Sequence, residues 1–292
     1  MEPVLVLKDV CKNYPGFTLD HVSFEVPRGS IMGFIGENGA GKTTTIKLIL
    51  NEIKRQGGSI SVLGMDNQKE ERKIKEQIGV VLDEGFFFID MTSRDIAKVM
   101  RPLYRSWEDS LYSRYLREFR LPENKPIKEY SKGMKMKLSI ATALAHQPKL
   151  LILDEATSGL DPVMRSEILD IFLDFIQEED HSILLSSHIT SDLEQIADYI
   201  TFLHQGRIIF SRSKDELLQQ YGILKCSAAD YHKIDRGDIV GSRQNRFGWE
   251  LLVSDRQRCR RKYPGFVIDS TTLDEIMLYY VKGNSVQEKE GL

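Results

Sequence analysis

Apolar and polar residues alternate over the first part of the chain, which is the pattern of β-strands with one buried face. Three alternating stretches, VLVLKDV, TLDHVSFEV and SIMGFIG, are separated by the turn-forming segments YPG and PRG. After Gly41, apolar residues recur at spacings of three and four, which predicts a helix that ends at Gly57 and Gly58. The sequence therefore predicts β-strands, a glycine-rich loop and a helix, in that order.

The remaining pattern predicts a helical segment inserted into an alternating β/α chain. Mostly helical spacing runs from about residue 93 to 147 and contains no good strand candidate. Short strands are predicted at residues 59–63 and 78–82, and after residue 149 at LLIL, SILLSS, YITFL and RIIF, with a hairpin around Gln205 and Gly206. Strands that alternate with helices favour a largely parallel sheet covered on both faces.

Two helices in the second half carry sequence signals for their first residues. Asp161 precedes Pro162, which predicts an aspartate N-cap followed by proline in the first turn of a helix over about 162–178. Ser191 and Glu194 have the spacing of a capping box, which predicts that the next helix begins near Ser191.

The composition is that of a folded globular protein. Of the 292 residues, 41% are hydrophobic and 28% are charged, and no stretch approaches the roughly 18 uncharged apolar residues of a membrane-spanning helix. The N-terminus lacks the pattern of a secretory signal, so we expect a cytosolic protein. Cys11, Cys226 and Cys259 lie far apart and have neither disulfide nor metal-ligand spacing, which favours reduced thiols. The net charge of −3 gives no general attraction to nucleic acid.

A phosphate-binding motif lies between the third predicted strand and the first predicted helix. Residues 36–43 read GENGAGKT, the pattern G-x-x-x-x-G-K-[ST]. Its glycines let the backbone approach phosphate oxygens, its N–H groups form an anion-binding concavity, and Lys42 can reach the β- and γ-phosphates. The hydroxyl of Thr43 is a candidate ligand for Mg²⁺. A glycine turn that binds nothing is the alternative, and the flanking strand and helix disfavour it.

Asp154 and Glu155 follow the apolar run LLIL and are therefore expected at the C-terminal end of a buried strand. Ligands bind at this end of the strands in open α/β sheets. Asp154 is a candidate ligand for Mg²⁺, directly or through water, and Glu155 is a candidate general base for an attacking water molecule. Alone, such an acidic pair is more often a solvated strand end. Together with the phosphate-binding motif, it indicates a nucleoside triphosphatase.

Four segments in this order resemble the nucleotide-binding subunit of ATP-binding-cassette (ABC) transporters: GENGAGKTT, YSKGMKMKLS at 130–139, LLILDEATSGLD at 150–161 and SSH at 186–188. The resemblance looks strongest to single-cassette bacterial exporters of peptides or antibiotics. It implies an α/β fold with a phosphate-loop NTPase core, an antiparallel β subdomain, a helical insertion and a small C-terminal α/β appendage. It also implies two subunits that face head to tail, with each ATP between the phosphate loop of one and Ser131 and Gly133 of the other.

The resemblance assigns further residues to the site. Tyr14 matches the aromatic residue that stacks on adenine in this family, and a tyrosine of the core is the alternative. Ser131 is at the same time a candidate N-cap for the helix that carries Leu138 inward. Asp161 lies in the loop that crosses the dimer seam in this family as well as capping its helix. His188 matches the histidine that contacts the γ-phosphate.

One position departs from the family pattern. Asp83 stands where a glutamine normally ends the strand before the helical insertion, and we expect its carboxylate to keep the metal contact but to alter the coupling to the partner. The predicted catalytic residues are Lys42, Glu155 and His188, and the predicted metal ligands are Thr43, Asp83 and Asp154. The predicted nucleotide-binding residues are Tyr14, Gly36, Glu37, Asn38, Gly39, Ala40, Gly41, Lys42, Thr43, Thr44, Ser131, Gly133 and Asp161.

The predicted cassette covers residues 1–221, with a helical subdomain at about 86–148, and a small extension covers 222–292. The predicted function is hydrolysis of ATP with Mg²⁺, coupled to a separate integral membrane subunit that exports a peptide or amphiphile. A second copy of the chain or a homologous cassette is expected to complete the dimer. The dimer is expected to lie at the cytoplasmic face of the plasma membrane as a peripheral protein, held there by its membrane partner. Residues 86–110, which include three consecutive phenylalanines, are expected to receive the membrane subunit or else to pack in the core.

A soluble ABC-type ATPase that acts on nucleic acid or the ribosome is the alternative function. A basic cluster in the extension gives this alternative its only support from the sequence, although such charge runs are more often solvated surfaces. Soluble relatives of that kind carry two cassettes or a long inserted coiled coil, and neither is found in this sequence. Nucleic acid is therefore not an expected partner. The cluster consists of Arg256, Arg258, Arg260, Arg261 and Lys262.

Overall fold

The computed structural model of the chain describes residues 2–82 and 87–282. Its backbone divides into two compact units, Met1–Ser211 and Arg212–Leu292. The division comes before the predicted boundary at residue 221, so the helix Lys214–Gln220 belongs to the second unit. Within the described residues, no helix is both long and apolar enough to cross a membrane.

The first unit combines two sheets with helices. Its strands are β1 (Leu5–Tyr14), β2 (Phe17–Val26), β3 (Ile31–Ile35), β4 (Gly57–Val62), β5 (Met65–Asp66), β6 (Ile78–Val81), β7 (Leu150–Asp154), β8 (Ser182–Ser187), β9 (Tyr199–His204) and β10 (Arg207–Ser213). Its helices are α1 (Lys42–Ile49), α2 (Glu71–Lys75), α3 (Ser93–Met100), α4 (Asp109–Glu118), α5 (Lys132–Leu144), α6 (Pro162–Phe175) and α7 (Thr190–Ile196).

One sheet is antiparallel, in the order β2-β1-β4-β5, and the other has the order β10-β9-β3-β8-β7-β6. From β9 to β6, each strand of the second sheet runs parallel to its neighbour. Every residue of β3, β7 and β8 is buried, because helices cover both faces of a parallel sheet and leave no solvated side. The predicted α/β fold with an antiparallel β subdomain is confirmed.

The predicted hairpin between β9 and β10 is also confirmed. Gln205 and Gly206 have φ angles of 46° and 78°, the left-handed conformation that tight hairpin turns require. A Cβ atom on residue 206 would lie 1.9 Å from the carbonyl oxygen of Thr18. Only glycine therefore allows this turn to approach β2 so closely.

Helix α1 ends earlier than its apolar spacing predicts. Its last helical residue is Ile49, and Asn51 takes a left-handed φ of 56°. The N–H of Asn51 donates to the Leu48 carbonyl at 3.2 Å, and the N–H of Glu52 donates to the Lys47 carbonyl at 2.9 Å, which is a Schellman ending. The prediction of a helix that continues to Gly57 was wrong, because apolar Ile53 packs against the core from a loop.

The predicted capping box of α7 was also wrong. The helix begins at Thr190, so Ser191 lies inside it, and Ile189 at the N-cap position provides no side-chain cap. Instead, the hydroxyl of Ser187, the last residue of β8, accepts a hydrogen bond from the Ile189 N–H at 2.9 Å. The short connection from the strand therefore sets the start of this helix.

The N-cap of α6 is confirmed. The side chain of Asp161 accepts hydrogen bonds from the N–H groups of Val163 and Met164 at 3.1 and 3.0 Å. On the inner face of the helix, Ile168 and Phe172 are fully buried. One carboxylate thus satisfies two of the N–H groups that have no partner within the helix.

Asp161→Ala is expected to lower the free energy of unfolding by about 1 kcal/mol, because both N–H groups lose their acceptor. Urea unfolding followed by circular dichroism measures the change. Asp170→Ala makes the same substitution at an exposed position within α6 and is expected to leave stability nearly unchanged. Equal effects of the two substitutions would show that the cap contributes nothing.

The predicted helical segment contains α3, α4 and α5 and a short 3₁₀ turn at Ile127–Glu129, with no strand among its described residues. Thr92 and Asp95 form a capping box at the start of α3, since each side chain accepts a hydrogen bond from the other residue's N–H. Burial of Leu138 and Ala141 packs α5 inward, as its spacing predicts. Helix α3 therefore begins at its own side-chain cap, whereas α4 has no side-chain cap.

The second unit is a four-stranded antiparallel sheet with helices, and most of it was not predicted. Its sheet order is β12-β13-β11-β14, and its core includes Leu224, Leu251 and Cys259. Its elements are α8 (Lys214–Gln220), β11 (Gly222–Cys226), β12 (Ile239–Asn245), β13 (Gly248–Val253), α9 (Arg256–Lys262), β14 (Val267–Asp269) and α10 (Leu273–Lys282).

The basic cluster of the extension forms helix α9, and much of its charge is used inside the unit. Arg258 and Lys262 form ion pairs with the buried carboxylate of Asp238, at 3.2 and 2.6 Å. Arg260 donates a hydrogen bond to the Ile268 carbonyl at 3.0 Å. These contacts join α9 to the rest of the unit, while Arg258, Arg260, Arg261 and Lys262 remain exposed, as expected for a solvated charge run.

Asp238 is expected to make the second unit sensitive to acid. The hydrogen bond from Lys262, with help from the Tyr263 hydroxyl, holds the pKa of Asp238 below its ordinary 3.8. A carboxyl group whose pKa is lower in the folded than in the unfolded state stabilises the fold when the pH is above the unfolded pKa. This stabilisation is lost as the pH falls from about 3.8 through the lowered pKa of the folded state. In Asp238→Asn, the free energy of unfolding of this unit should therefore depend less on pH across that range.

Trp249 provides the measurement, since it stacks on Tyr231 within the second unit at a ring-centroid distance of 4.5 Å. Its fluorescence is followed during urea unfolding from pH 6 down to about pH 2, so that the range below the unfolded pKa is covered. A Trp107→Phe background removes the other tryptophan. Asp274→Asn, at an exposed position of α10, is the matched control and should keep the acid sensitivity. An unchanged pH profile in Asp238→Asn would contradict the assignment.

Candidate functional site

The glycine-rich loop occupies residues 36–41, between the end of β3 at Ile35 and the start of α1 at Lys42. A Cβ atom on residue 36 would lie 2.4 Å from the Leu203 carbonyl oxygen, so the loop can lie this close to β9 only with glycine there. Gly41, at the N-cap position of α1, has a left-handed φ of 112°. The strand, loop and helix follow one another as the motif predicts.

The side chain of Lys42 is buried and lies beneath this loop. Its ammonium group donates to the Gly36 carbonyl at 2.7 Å and to the Glu37 carbonyl at 3.4 Å. It also lies 3.3 Å from Oε1 of Glu155. The positive charge of Lys42 is therefore held in place beneath the loop. It lies directly beside the carboxylate of Glu155, which follows β7, and β8 separates β7 from β3 in the sheet.

Asp154, at the end of β7, lies between two hydroxyl groups. The hydroxyl of Thr43 donates to Oδ2 of Asp154 at 2.9 Å, and the hydroxyl of Ser186 donates to Oδ1. Asp154 itself is almost fully buried. Its carboxylate is thereby oriented by one residue in the first turn of α1 and one residue of β8.

Glu155 follows directly and has an unusual backbone conformation, with a left-handed φ of 54°. Its N–H donates to the carbonyl and to the hydroxyl of Ser186, at 3.1 and 3.2 Å. Oε2 of Glu155 lies 2.6 Å from Nδ1 of His188 and also accepts from the His188 N–H at 3.4 Å. Strained backbone is typical of functional sites, and here it directs the carboxylate toward both Lys42 and His188.

The structure therefore brings Lys42, Thr43, Asp154, Glu155 and His188 together at the carboxyl ends of β3, β7 and β8. Ser186 is the residue of this group to which the sequence assigned no role. Ser186 is the first residue of the SSH segment, so the sequence did mark its position. Its contacts with the Asp154 carboxylate and the Glu155 N–H depend on the pairing of β7 with β8. Asp83, the third predicted metal ligand, lies outside the described residues.

The region predicted for adenine lies at the turn between β1 and β2. Tyr14 is 41% exposed, so the alternative of a core tyrosine was wrong, and the Lys12 ammonium lies 5.3 Å from its ring centre. Phe17 is its cross-strand partner, and a Cβ atom on Gly41 would lie 2.8 Å from the Phe17 ring. Phe17, Glu37 and neighbouring residues line an open cleft of about 820 Å³ beside the loop.

The remaining predicted residues form a second group. The Ser131 hydroxyl accepts from the Met134 N–H at 3.2 Å, which confirms the predicted cap of α5. A Cβ atom on Gly133 would lie 2.9 Å from the Met164 side chain, so the start of α5 packs against the start of α6 just after Asp161. The hydrogen bonds of Ser131 and Asp161 are local ones, and none joins them to the glycine-rich loop within the described residues.

Residues 19–158 match the family model described as ABC transporter. The chain is 34% identical over 212 residues to the bacitracin transport ATP-binding protein BcrA of Bacillus licheniformis, covering 72% of this chain and 69% of that protein. It is also 34% identical over 215 residues to the lantibiotic transport ATP-binding protein SrtF of Streptococcus pyogenes, covering 73% of this chain and 92% of that protein.

Solved structures agree with these sequence matches. The structure of an ATP-binding subunit of an ABC transporter has a TM-score of 0.67 at 30% identity, covering 73% of this chain and 91% of that one. A nucleotide-free ATP-binding cassette from an ABC transporter has a TM-score of 0.64 at 22% identity, covering 73% and 93% of the two chains, and shows the same fold.

A glycine-rich loop after a buried parallel strand, a lysine beneath it and an acidic pair at the end of another strand of the same sheet define a phosphate-loop nucleotide-binding protein. The matches to the family model and to the two transport ATP-binding proteins narrow this class. The chain belongs to the ABC transporter family as an ATP-binding subunit, and it is an ATPase.

Proposed function

We propose that the chain hydrolyses ATP between two cassettes and thereby drives a membrane subunit that exports a peptide or amphiphile. The observation that carries the catalytic part is the joint contact of Glu155 with Lys42 and His188. The names of the relatives, which refer to bacitracin and lantibiotic transport, support the export part. The proposed location is the cytoplasmic face of the plasma membrane, through the membrane subunit.

Mg²⁺ is the proposed metal of this site, and the oxygen groups present fit it. The Thr43 hydroxyl and the Asp154 carboxylate meet at 2.9 Å, and Mg²⁺ prefers oxygen ligands. These two residues would hold the ion, with Asp83 as a further proposed ligand. When bound, Mg²⁺ neutralises negative charge on the phosphates. The hydroxyl of Ser186 keeps the Asp154 carboxylate oriented throughout.

Glu155 is the proposed general base. In the structure, one of its oxygens lies at Lys42 and the other at His188. A γ-phosphate at the glycine-rich loop competes with Glu155 for the Lys42 ammonium, because it carries more negative charge than a carboxylate. The carboxylate released in this way is able to accept a proton from water, while Lys42 and His188 stabilise charge on the γ-phosphate.

A second cassette is proposed to complete each ATP site through Ser131 and Gly133. Ser131 is exposed, and it begins a 13-residue helix whose N-terminal N–H groups favour a negatively charged ligand. The packing of Gly133 against α6 holds this helix start beside the loop that ends at Asp161. The two segments that the family pattern assigns to the dimer seam are thus neighbours within one chain.

The membrane subunit is proposed to dock on an apolar surface in the helical insertion, here called the insertion surface and defined as Phe88, Ile89, Val99 and Leu103. These side chains are 79%, 59%, 47% and 62% exposed. For Phe88, the alternative of core packing was therefore wrong, whereas Phe86 lies outside the described residues. The proposal requires the four side chains to form one contiguous apolar patch, since such a patch is typical of a protein interface.

Phe88→Asp and Leu103→Asp are each expected to weaken binding of the membrane subunit by about tenfold or more, since burying such a side chain is worth roughly 1.5–3 kcal/mol. Co-purification from membranes measures the binding. Basal ATPase activity should stay unchanged, because neither residue contacts Lys42, Thr43, Asp154, Glu155 or His188 within the part of the chain that the structure describes. Val267→Asp alters an equally exposed apolar residue of the second unit and is the matched control. If the membrane subunit co-purified fully with both Phe88→Asp and Leu103→Asp, the insertion surface would be excluded as its docking site.

Transport itself is tested by purifying the chain with the subunit that accompanies it and reconstituting both in vesicles with ATP on the outside. The proposal expects ATP-dependent accumulation of a peptide or amphiphile inside, which corresponds to export from the cell. Uptake of a solute delivered by a binding protein would overturn the export direction. ATPase stimulation by DNA, RNA or ribosomes in the absence of a membrane subunit would instead favour the soluble alternative.

A further inference from the structure

We propose that Cys11, Asp20 and His21 form a binding site for a transition-metal ion of the Zn²⁺ type, separate from the proposed Mg²⁺ site. One ligand atom from each of the three side chains lies within 4.8 Å of the others. All three residues belong to the antiparallel sheet, whereas Thr43 and Asp154 of the proposed Mg²⁺ site lie at the start of α1 and at the carboxyl end of β7 in the parallel sheet. The spacing of the cysteines along the sequence gave no sign of such a site.

A β-bulge brings these three residues together. In the pairing of β1 with β2, Val10 lies opposite Val22 and Lys12 lies opposite Leu19. Cys11 alone on β1 therefore faces both Asp20 and His21 on β2, which is the two-against-one arrangement of a bulge.

The bulge also changes where the side chains point. Consecutive residues of a regular strand point to opposite faces of the sheet, so Asp20 and His21 would normally lie apart. His21 instead has a left-handed φ of 49°, and its Nδ1 lies 2.5 Å from Oδ1 of Asp20. The His21 N–H also donates to Sγ of Cys11 at 3.4 Å. The strained residue thus brings an imidazole and a carboxylate to the same thiol.

The thiol is accessible to a metal ion. Cys11 is partly exposed, whereas Cys226 and Cys259 are buried in the second unit. On its other side, Cys11 is paired with Gly57 of β4, which has no side chain to cover the sulfur. The His21 side chain is 70% exposed, so the imidazole can adjust its orientation toward an incoming ion.

The chemistry of the three groups selects the ion. Thiolate and imidazole ligands favour Zn²⁺ and related transition metals over Mg²⁺ and Ca²⁺, which prefer oxygen. Three protein ligands leave the fourth tetrahedral position to water. On binding, Cys11 loses its proton to solvent and the sulfur binds as the thiolate. Oδ2 of Asp20 can keep its ion pair with Arg207, at 2.7 Å, while Oδ1 turns toward the ion.

Titration of the nucleotide-free chain with Co²⁺ tests the site, in the presence of excess Mg²⁺ to occupy the other metal position. Co²⁺ is the spectroscopic probe, because a cobalt–thiolate bond produces a charge-transfer absorption band that carboxylate and imidazole ligands alone do not. One equivalent of Co²⁺ is expected to produce this band, and Zn²⁺ is expected to remove it by displacement. Cys11→Ser should abolish the band.

His21→Asn removes the imidazole but retains a residue that tolerates the left-handed conformation, so the bulge should persist. The affinity for Co²⁺ is expected to fall by about tenfold or more, since losing even an outer-shell partner of a metal ligand costs 10- to 100-fold. His232→Asn changes an exposed histidine of the second unit and should have no effect.

Three results would overturn the site: no thiolate band in the wild-type chain, a band that persists in Cys11→Ser, or unchanged affinity in His21→Asn. Circular dichroism of both variants, compared with the wild type, shows that the fold is retained. If Cys11→Ser proves unstable, a measurement on the wild-type chain still tests whether Cys11 binds the metal ion. Zn²⁺ should then slow alkylation of Cys11 by a maleimide, located by peptide mapping, and an unchanged alkylation rate would contradict the proposal.

Discussion

Glu155→Gln is expected to lower the rate of ATP hydrolysis by about 10²- to 10⁴-fold, the range that a positioned general base contributes. Glutamine has nearly the same shape, but its amide cannot accept the proton of the attacking water. The hydrogen bonds that hold the Lys42 ammonium to the Gly36 and Glu37 carbonyls do not involve the Glu155 side chain, so Lys42 should stay in place and ATP binding should persist. A variant that binds ATP without hydrolysing it is expected to accumulate the closed dimer.

Phosphate release measures hydrolysis, a fluorescent ATP analogue measures binding, and light scattering after gel filtration measures the dimer. Glu178→Gln is the matched control, because it makes the same change at an exposed position beyond the end of α6. It should keep the wild-type rate. Hydrolysis at the wild-type rate in Glu155→Gln would show that another group accepts the proton, and loss of ATP binding would show that Glu155 mainly positions Lys42.

The meeting of the candidate site residues was predictable from the sequence, because these residues follow the ends of strands. Lys42 follows β3, Asp154 ends β7 and His188 follows β8, and each strand is a short apolar run bounded by polar residues. In a parallel sheet, the carboxyl ends of neighbouring strands lie at the same edge, so residues far apart in sequence meet there. The contact of Ser186 with Asp154 was not predictable, since it depends on the register of β8 against β7.

Helix ends were less predictable than the helices themselves. The apolar spacing of α1 continues to Ile53, but the left-handed Asn51 ends the helix while Ile53 still packs against the core. Periodicity reports which side chains are buried and does not show whether the backbone between them is helical. Asp161 was a reliable signal because its carboxylate acts on the N–H groups of its own helix, without any contribution from distant residues.

The second unit shows where local patterns fail. Its helices and strands are short, with none longer than ten residues among the described ones, and the ion pairs of Asp238 join residues that are 20 to 24 positions apart. The sequence shows the run of basic residues in α9, but it does not show which distant carboxylate the run contacts. The bulge at Cys11 has the same character, because the pairing of two strands creates the cluster and neither strand contains it alone.

Lys42→Ala is expected to lower kcat/KM for ATP by about 10²- to 10³-fold. Removing one preorganised group that stabilises developing negative charge has an effect of this size. The ammonium is buried and held by two loop carbonyls, so no neighbouring lysine can take its place. The loss should appear in ATP binding as well as in hydrolysis, because the γ-phosphate carries negative charge before and during the reaction. This double loss distinguishes Lys42→Ala from Glu155→Gln, which should lose hydrolysis alone.

Lys47→Ala is the matched control, since Lys47 lies on the same helix with its side chain exposed. Its ATPase activity is expected to remain within about twofold of the wild type, because an exposed charge one turn away is screened by solvent. Thermal unfolding of both variants separates a lost contact from a lost fold. If Lys42→Ala were folded and retained wild-type affinity for ATP, the glycine-rich loop would bind phosphate through its backbone N–H groups alone.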